Sequence, residues 1–532
     1  MEPNLTAETK KTKKEFRAET FTGIISKITG IYVFLMCTGF TLFVVDMYYN
    51  ILKDKYYFFF YATLACAGLC LLTFLFGLCL GAFRGKMRAS FPGFTKLTGT
   101  DWLFLAFFAC AAVSTFTSEW LYESFWGNMG RLQGLFFYII CLVSYFLITR
   151  FFRFRPVYAY AFVITGCVMC LWGVLDYLGL DPLGWREDAN DYMGMLIFTS
   201  TIGNVNTYTE CASVFAGAAS ALAMKHRHPL PFYLAAFICF AGLITGTSDN
   251  ALLGMAGIFG LLPFWCFDRK KGVIRYLLLL FVLALSFASV GILTEKWTGE
   301  LILKSYSWGV LLKIANGAVK PMLALSAASL VFAGFLRILF RKKLDHPATG
   351  FRILWFFVFF GVILLVVLCF ADANRGNHAE FWAPYKDFMI FNDRWGTNRG
   401  YAWRSSFEFF RGFSLWKKLF GSGPETYAIF MGQYNYYEMI DFMDAVFDSP
   451  HSEPIQMLFT TGILGFLAYY GAMITAIIRA VRKNKWAAVF AFALVGYLFA
   501  SAINISVPIS TPFAVLCLGL AASVKYQNEQ MA

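Results

Sequence analysis

The chain has 532 residues, 59% of them hydrophobic, with 61 phenylalanines and a formal net charge of +13. That much apolar side chain exceeds what one water-soluble core can hide, which excludes a soluble globule. Its apolar runs, roughly 17–25 residues each, fit helices that cross a bilayer and lack the alternation of a barrel, so the sequence predicts an all-α polytopic membrane protein. In such a chain the placing of positive charge reports orientation in the membrane and gives no reason to expect nucleic acid as a partner.

Residues 1–21 are polar, with Lys10, Lys11, Lys13, Lys14 and Arg17, and read as a mobile or interfacial cytoplasmic arm. The first apolar run is too long for a removable signal peptide and lacks a small-residue cleavage site. About 14 transmembrane helices are expected, at 22–45, 57–82, 101–117, 133–149, 156–178, 206–224, 231–247, 250–267, 274–293, 321–340, 352–371, 455–478, 486–503 and 508–524. This divides the chain into a scaffold of about 11 helices at 22–371, a large extracytoplasmic loop at 372–454, C-terminal helices at 455–524 and a cytoplasmic tail at 525–532. With the N-terminus inside, most of the 45 Lys+Arg fall on inner connections and most of the 32 Asp+Glu on outer ones. This positive-inside pattern predicts that both termini are cytoplasmic and that the long loop is outside.

Three shorter outer segments, 118–132, 179–205 and 294–320, accompany the loop. All thirteen cysteines fall within spans, and the Cys167/Cys170 pair lacks a second ligand pair, so neither a disulfide framework nor a zinc site is expected. Lys27, Asp176 and Glu210 lie at span edges, a poor basis for an intramembrane relay.

The loop carries Arg394, Arg399, Arg404 and Arg411, then Gly421-Ser422-Gly423-Pro424, then Ser449-Pro450-His451-Ser452-Glu453 at the mouth of a span. Between Tyr401 and Phe420, Ala402, Phe409, Phe413, Trp416 and Phe420 recur at helical spacing, with Arg404, Glu408 and Arg411 opposite. They predict one amphipathic helix lying at the membrane–water interface and stopped by the glycines. Of the five histidines, His226, His228 and His346 sit in inner connections, which leaves His378 and His451 outside.

His451 is the candidate acid–base group, because a histidine titrates near neutrality and can take or orient a hydroxyl proton. It could equally cap the helix that follows. Arg131, Arg399 and Arg404, on the same side, are candidates for an anionic lipid head such as a diphosphate, since guanidinium binds phosphate oxygens bidentately. Each could instead be an ordinary headgroup contact or an ion pair, as Arg404 with Glu408. Asp441, Asp444, Asp448 and Glu453 could hold a divalent metal only if they converged, and no phosphate-binding P-loop or HExxH motif is present.

Several of these pieces resemble the O-antigen ligase and O-antigen polymerase superfamily of polytopic glycosyltransferases. They are Asn398-Arg399 with Trp403-Arg404, Leu419 to Pro424, His451 to Leu458 and Gly462-Ile463-Leu464-Gly465, with Gly130 to Gly134 and Gly203 to Asn206 upstream. The resemblance implies transfer of a glycan from a polyprenyl-diphosphate lipid to an acceptor hydroxyl, at the outer face of the bacterial cytoplasmic membrane. It implies no cofactor, nucleotide sugar or metal, and it allows a glycan, wall-polymer or protein acceptor. By the same resemblance His451 activates or orients the acceptor hydroxyl, while Arg399, Arg404 and Arg131 hold the diphosphate. A lipid-linked glycan flippase and a protein O-oligosaccharyltransferase are the rival readings.

Overall fold

A computed structural model describes residues 2–84, 90, 97–128, 130–185, 198–298, 309–376, 378–441 and 443–523, with side chains from residue 18 onward. The tail at 525–532, the side chains of the basic arm and parts of the outer segments 179–205 and 294–320 lie outside the described residues.

Each expected span falls on a helix. Among the described residues, nine helices are long and apolar enough to cross a membrane, and Leu135–Phe151, Leu230–Thr245, Asn250–Cys266 and Thr511–Ala522 are shorter apolar helices beside them. The backbone of the arm is itself helical, continuous from Glu2 to Cys37. Its Lys, Glu and Ala are good helix formers, with Pro3 harmless in the first turn.

Val205–Lys225 is the central helix, buried along nearly its whole length. Alanine, glycine and serine dominate it, which lets Lys485–Ala500, Leu230–Thr245 and Asn250–Cys266 pack closely around it. At the other extreme, the most apolar stretch of Thr349–Arg375 has no buried residue. It is tied to the bundle by the Trp355 indole, which donates to the Gly260 carbonyl at 2.9 Å, and by Phe359, whose ring lies 5.5 Å from that of Phe264. This helix leads directly into the long loop.

Buried charge is more plentiful than the sequence suggests. Glu210, near the start of Val205–Lys225, is nonetheless fully buried and accepts from Asn504 Nδ2 at 2.6 Å. Lys55, which no sequence pattern marks, is buried and donates to the Phe40 and Thr41 carbonyls at 2.6 and 2.9 Å. Asp101 and Arg150 pair at 2.7 Å, and Tyr145 donates to the same carboxylate. Each charge was affordable inside the bundle because a partner arrives from a different element, which local pattern does not reveal.

The loop folds on a small core of its own. Tyr401, Ala402, Phe413, Tyr427, Phe430 and Met431 are buried together, and Phe459 of the following spanning helix joins them. The single amphipathic helix expected over 401–420 is instead two, Trp395–Gly412 and Leu415–Phe420. Ser414 divides them, its hydroxyl accepting from the Lys417 amide as an N-cap. Ala402, Phe409 and Phe413 do face the loop core, while the Trp416 and Phe420 rings pack against each other at a tilt of 40°, centroids 4.4 Å apart.

Candidate active site

The site is set by a break in the helix Glu453–Lys483. At Gly462 the backbone leaves helical geometry (φ 70°, ψ −177°), which frees carbonyls in the turn before it. The Phe459 carbonyl accepts from the Ser422 amide at 3.1 Å, and the Thr460 carbonyl from the Gly423 amide at 3.2 Å and the Ser114 hydroxyl at 2.6 Å. Gly421 reaches this contact at φ 92°, ψ −179°. A Cβ on Gly421 would stand 2.1 Å from the Thr460 oxygen, and one on Gly462 2.4 Å from the Leu419 carbonyl. The glycine stop thus does more than end a helix: it fastens the loop, backbone to backbone, onto the membrane helix that His451 precedes.

His451 has a left-handed backbone (φ 51°) one residue before the Ser452 N-cap. Its amide donates to Ser449 Oγ and its Nδ1 lies 3.2 Å from the Ser449 carbonyl. A carbonyl only accepts, so Nδ1 carries the hydrogen and Nε2 keeps its lone pair. Trp403 steadies the preceding turn by donating from Nε1 to the Pro450 carbonyl at 2.9 Å. Burial, then the charges of Arg399 and Arg131, bring the imidazole from its ordinary 6.5 down to about 4, against the opposing pull of the Ser449 carbonyl and Asp448. Near neutral pH the ring is therefore uncharged.

The three candidate arginines have different surroundings. Arg131 grips Asp448 with two hydrogen bonds, Nη2 to Oδ1 at 2.5 Å and Nε to Oδ2 at 3.1 Å. Arg399 is half-buried and follows three left-handed residues, Gly396, Thr397 and Asn398. Its Nη1 donates to the Gly396 carbonyl at 2.8 Å, and its buried Nε has no partner among the described residues. Burial lowers its pKa, with Asp249 as the opposing charge. Arg404 pairs with Asp393, Glu408 and Glu438 at 2.9, 3.1 and 3.1 Å and lies against the Tyr401 ring. Asp393 foremost holds its pKa above the usual arginine value.

The charges of Arg131 and Arg399 both act on His451, Arg131 while paired with Asp448, whereas Arg404 is held by three carboxylates. His378 pairs with Asp372 at 2.9 Å. The carboxylates that could have held a metal are dispersed: Asp448 lies on Arg131, and Glu453 accepts from Tyr469, Tyr470 and Tyr497. Among the described residues no group of three or more His, Cys, Asp or Glu could hold a metal ion.

Two acidic residues escaped the sequence reading. Asp249, at the head of Asn250–Cys266, supplies the charge opposite Arg399. Glu425, just after Gly423-Pro424, is buried on a left-handed backbone (φ 62°). Burial pushes its carboxyl up to about 7, helped by Asp448 and opposed by Arg131. Their one signal is position, each at the end of a turn between elements, and that is too common to single out a residue.

Fold and site together define an all-α polytopic membrane protein with a neutral histidine and two guanidinium groups gathered where its long loop meets a spanning helix. A family model described as O-Antigen ligase matches residues 308–470. The match encloses Arg399, Arg404 and His451, ends within the helix that follows His451, and supports the resemblance to the O-antigen ligase/polymerase superfamily. At family level it supports an O-antigen ligase-like membrane glycosyltransferase acting on glycans. Comparison with curated proteins found no match.

Proposed function

We propose that this protein transfers a glycan from a polyprenyl-diphosphate carrier to an acceptor hydroxyl at the outer face of the bacterial cytoplasmic membrane, with both its termini inside. The observation that carries the reading is the pairing of an uncharged His451, its Nε2 lone pair available, with an Arg399 guanidinium that no carboxylate neutralises by direct contact among the described residues. The acceptor hydroxyl gives its proton to Nε2 as its oxygen attacks the anomeric carbon. The bond from that carbon to the diphosphate breaks, and Arg399 and Arg131 stabilise the charge left on the diphosphate. Two fixed guanidinium groups supply the stabilisation a divalent cation would otherwise give, so the transfer proceeds without metal. Arg404 positions the loop.

The test is to incubate the purified protein in lipid, with a chelator, with a polyprenyl-diphosphate-linked oligosaccharide and cell-envelope extract, and to follow the sugar. Sugar on a new carrier supports transfer, and the carrier's nature names the acceptor. Donor moved across vesicles with no transfer would make this a transporter.

The histidine's low value fixes the pH profile. Below about 4 the free protein's imidazole is protonated and cannot accept a proton, so kcat/KM falls on the acid side only near there. Arg399→Gln removes a cation that disfavours the imidazolium, so its acid limb moves up toward 6.5. A limb that stays in place in this variant would separate Arg399 from the base.

Arg404→Gln is expected to cost about 1–2 kcal/mol of stability, a discounted figure because the group is partly exposed. Thermal unfolding in detergent checks this, and donor affinity should stay within about threefold of wild type. A loss of affinity without a loss of stability would return Arg404 to the diphosphate.

A further inference from the structure

Residues 386–395 of the loop wrap a cavity of about 590 Å³, lined by Lys386, Asp387, Asn392, Asp393, Arg394 and Trp395. Its volume lies within the roughly 300–1,000 Å³ of small-ligand sites. Hydrogen bonds fix the turn around it. The Arg394 amide donates to Asn392 Oδ1 and the Trp395 amide to the Asn392 carbonyl, both at 2.9 Å. Asn374, at the end of Thr349–Arg375, ties down the approach: its Oδ1 accepts from the Phe391 amide at 2.8 Å, and its Nδ2 donates to the Met389 carbonyl at 2.7 Å. Asp393 is spent on Arg404. Asn392 Nδ2 and the side chains of Lys386, Asp387 and Arg394 have no partner among the described residues.

The aromatic side of the cavity leads toward His451. Trp395 Nε1 donates to the Phe388 carbonyl at 3.0 Å, so with its one donor used the indole offers the cavity only carbon. Its ring centroid lies 5.7 Å from that of Phe391 and 5.2 Å from that of Trp403. Trp403 in turn holds the Pro450 carbonyl, next to His451. A pyranose ring has the complementary make-up, a face of C–H groups and a rim of hydroxyls that both donate and accept. The indole suits the face. For the rim, the Asp387 carboxylate accepts, while the Arg394 guanidinium and the Asn392 amide nitrogen donate. A bare anion would meet the carboxylates of Asp387 and Asp393, and a hydrocarbon chain would leave the polar groups unpaired.

We propose that this cavity is a saccharide subsite of the transferase: it seats one sugar ring of the glycan, with the C–H face on Trp395 and the hydroxyls on Asp387, Asn392 and Arg394. This rests on the transferase reading of the protein. The ring belongs either to the lipid-linked donor or to a glycan acceptor, and in both cases it sits in a cavity joined through Trp403 to the turn that carries His451. The subsite selects the sugar, whereas contacts of Arg399 and Arg131 with a diphosphate would be common to every lipid-linked glycan.

The experiment measures binding, on full-length protein in nanodiscs, to three probes: a polyprenyl-diphosphate-linked oligosaccharide, the same polyprenyl diphosphate without sugar, and lipid-free fragments of cell-envelope polysaccharide. Trp395→Ala removes the ring. The double variant Asp387→Ala/Arg394→Ala removes two exposed side chains without partners, should unfold at the wild-type temperature, and carries the test if Trp395→Ala does not fold. Each should weaken sugar binding by about tenfold or more, as the loss of hydrogen bonds to charged groups predicts for the double variant. A loss on the sugar-bearing lipid, with the sugar-free lipid bound as before, assigns the ring to the donor. A loss on the polysaccharide assigns it to the acceptor. Unchanged affinity for both sugar probes in the folded double variant overturns the inference, and so does an equal loss on the sugar-free lipid. Wild-type protein that binds the polysaccharide at this cavity but neither lipid would remove the diphosphate reading and leave the subsite standing.

Discussion

His451→Ala protein is expected to insert, bind the donor about as well as wild type and lose glycan transfer by about 100- to 10,000-fold, the range over which a positioned acid–base group contributes. The ring's contacts make the substitution cheap for folding. Nδ1 donates to its own turn at Ser449, and the nearest aromatic partner is Phe447, with ring centroids 6.4 Å apart. Donor affinity should hold because the diphosphate is assigned to Arg399 and Arg131, and removal of the ring leaves both. Arg399→Gln should differ in kind, losing donor affinity together with turnover. The comparison is made with labelled donor, binding and transfer being measured on the same preparations. Transfer by His451→Ala within tenfold of wild type would reduce the histidine to a turn residue.

The second large effect lies in the backbone. Gly421→Ala should destabilise the protein by about 3 kcal/mol or more, since its φ and ψ fall in a region essentially reserved for glycine. The new methyl would also meet a carbonyl oxygen at 2.1 Å, where only backbone movement gives relief. Gly462→Ala should cost a similar amount, because it forms the other half of the same contact. The double variant should lose less than the two losses added, as expected when two sites share one interaction. Thermal unfolding, together with proteolysis of the loop, reads this out. A melting temperature unchanged in Gly421→Ala would mean that the loop is held elsewhere.

Much of the architecture was legible because a bilayer imposes a simple rule on sequence. A long apolar run is a helix, and even the Ala-rich Val205–Lys225 was found this way. The stop at Gly421 to Pro424 was legible too, since glycine and proline carry their chemistry locally. What escaped depends on distant partners. The break at Gly462 exists because Gly421 and Gly423 arrive from the loop. The division at Ser414 was readable as an N-cap, but the helical spacing of Phe409, Phe413 and Trp416 on either side masked it. Arg404 looked like Arg399 in the sequence, and they differ because Asp393 and Glu438 reach one and not the other.

The distribution of sulfur has a practical consequence. All thirteen cysteines lie on the helices and none lies between Arg375 and Glu453. A single thiol installed on the loop, for example by Tyr437→Cys at a side chain that is 78% exposed, would be the loop's sole target for a membrane-impermeant maleimide. The native background is therefore suited to reporting, from intact cells, which side of the membrane the loop occupies.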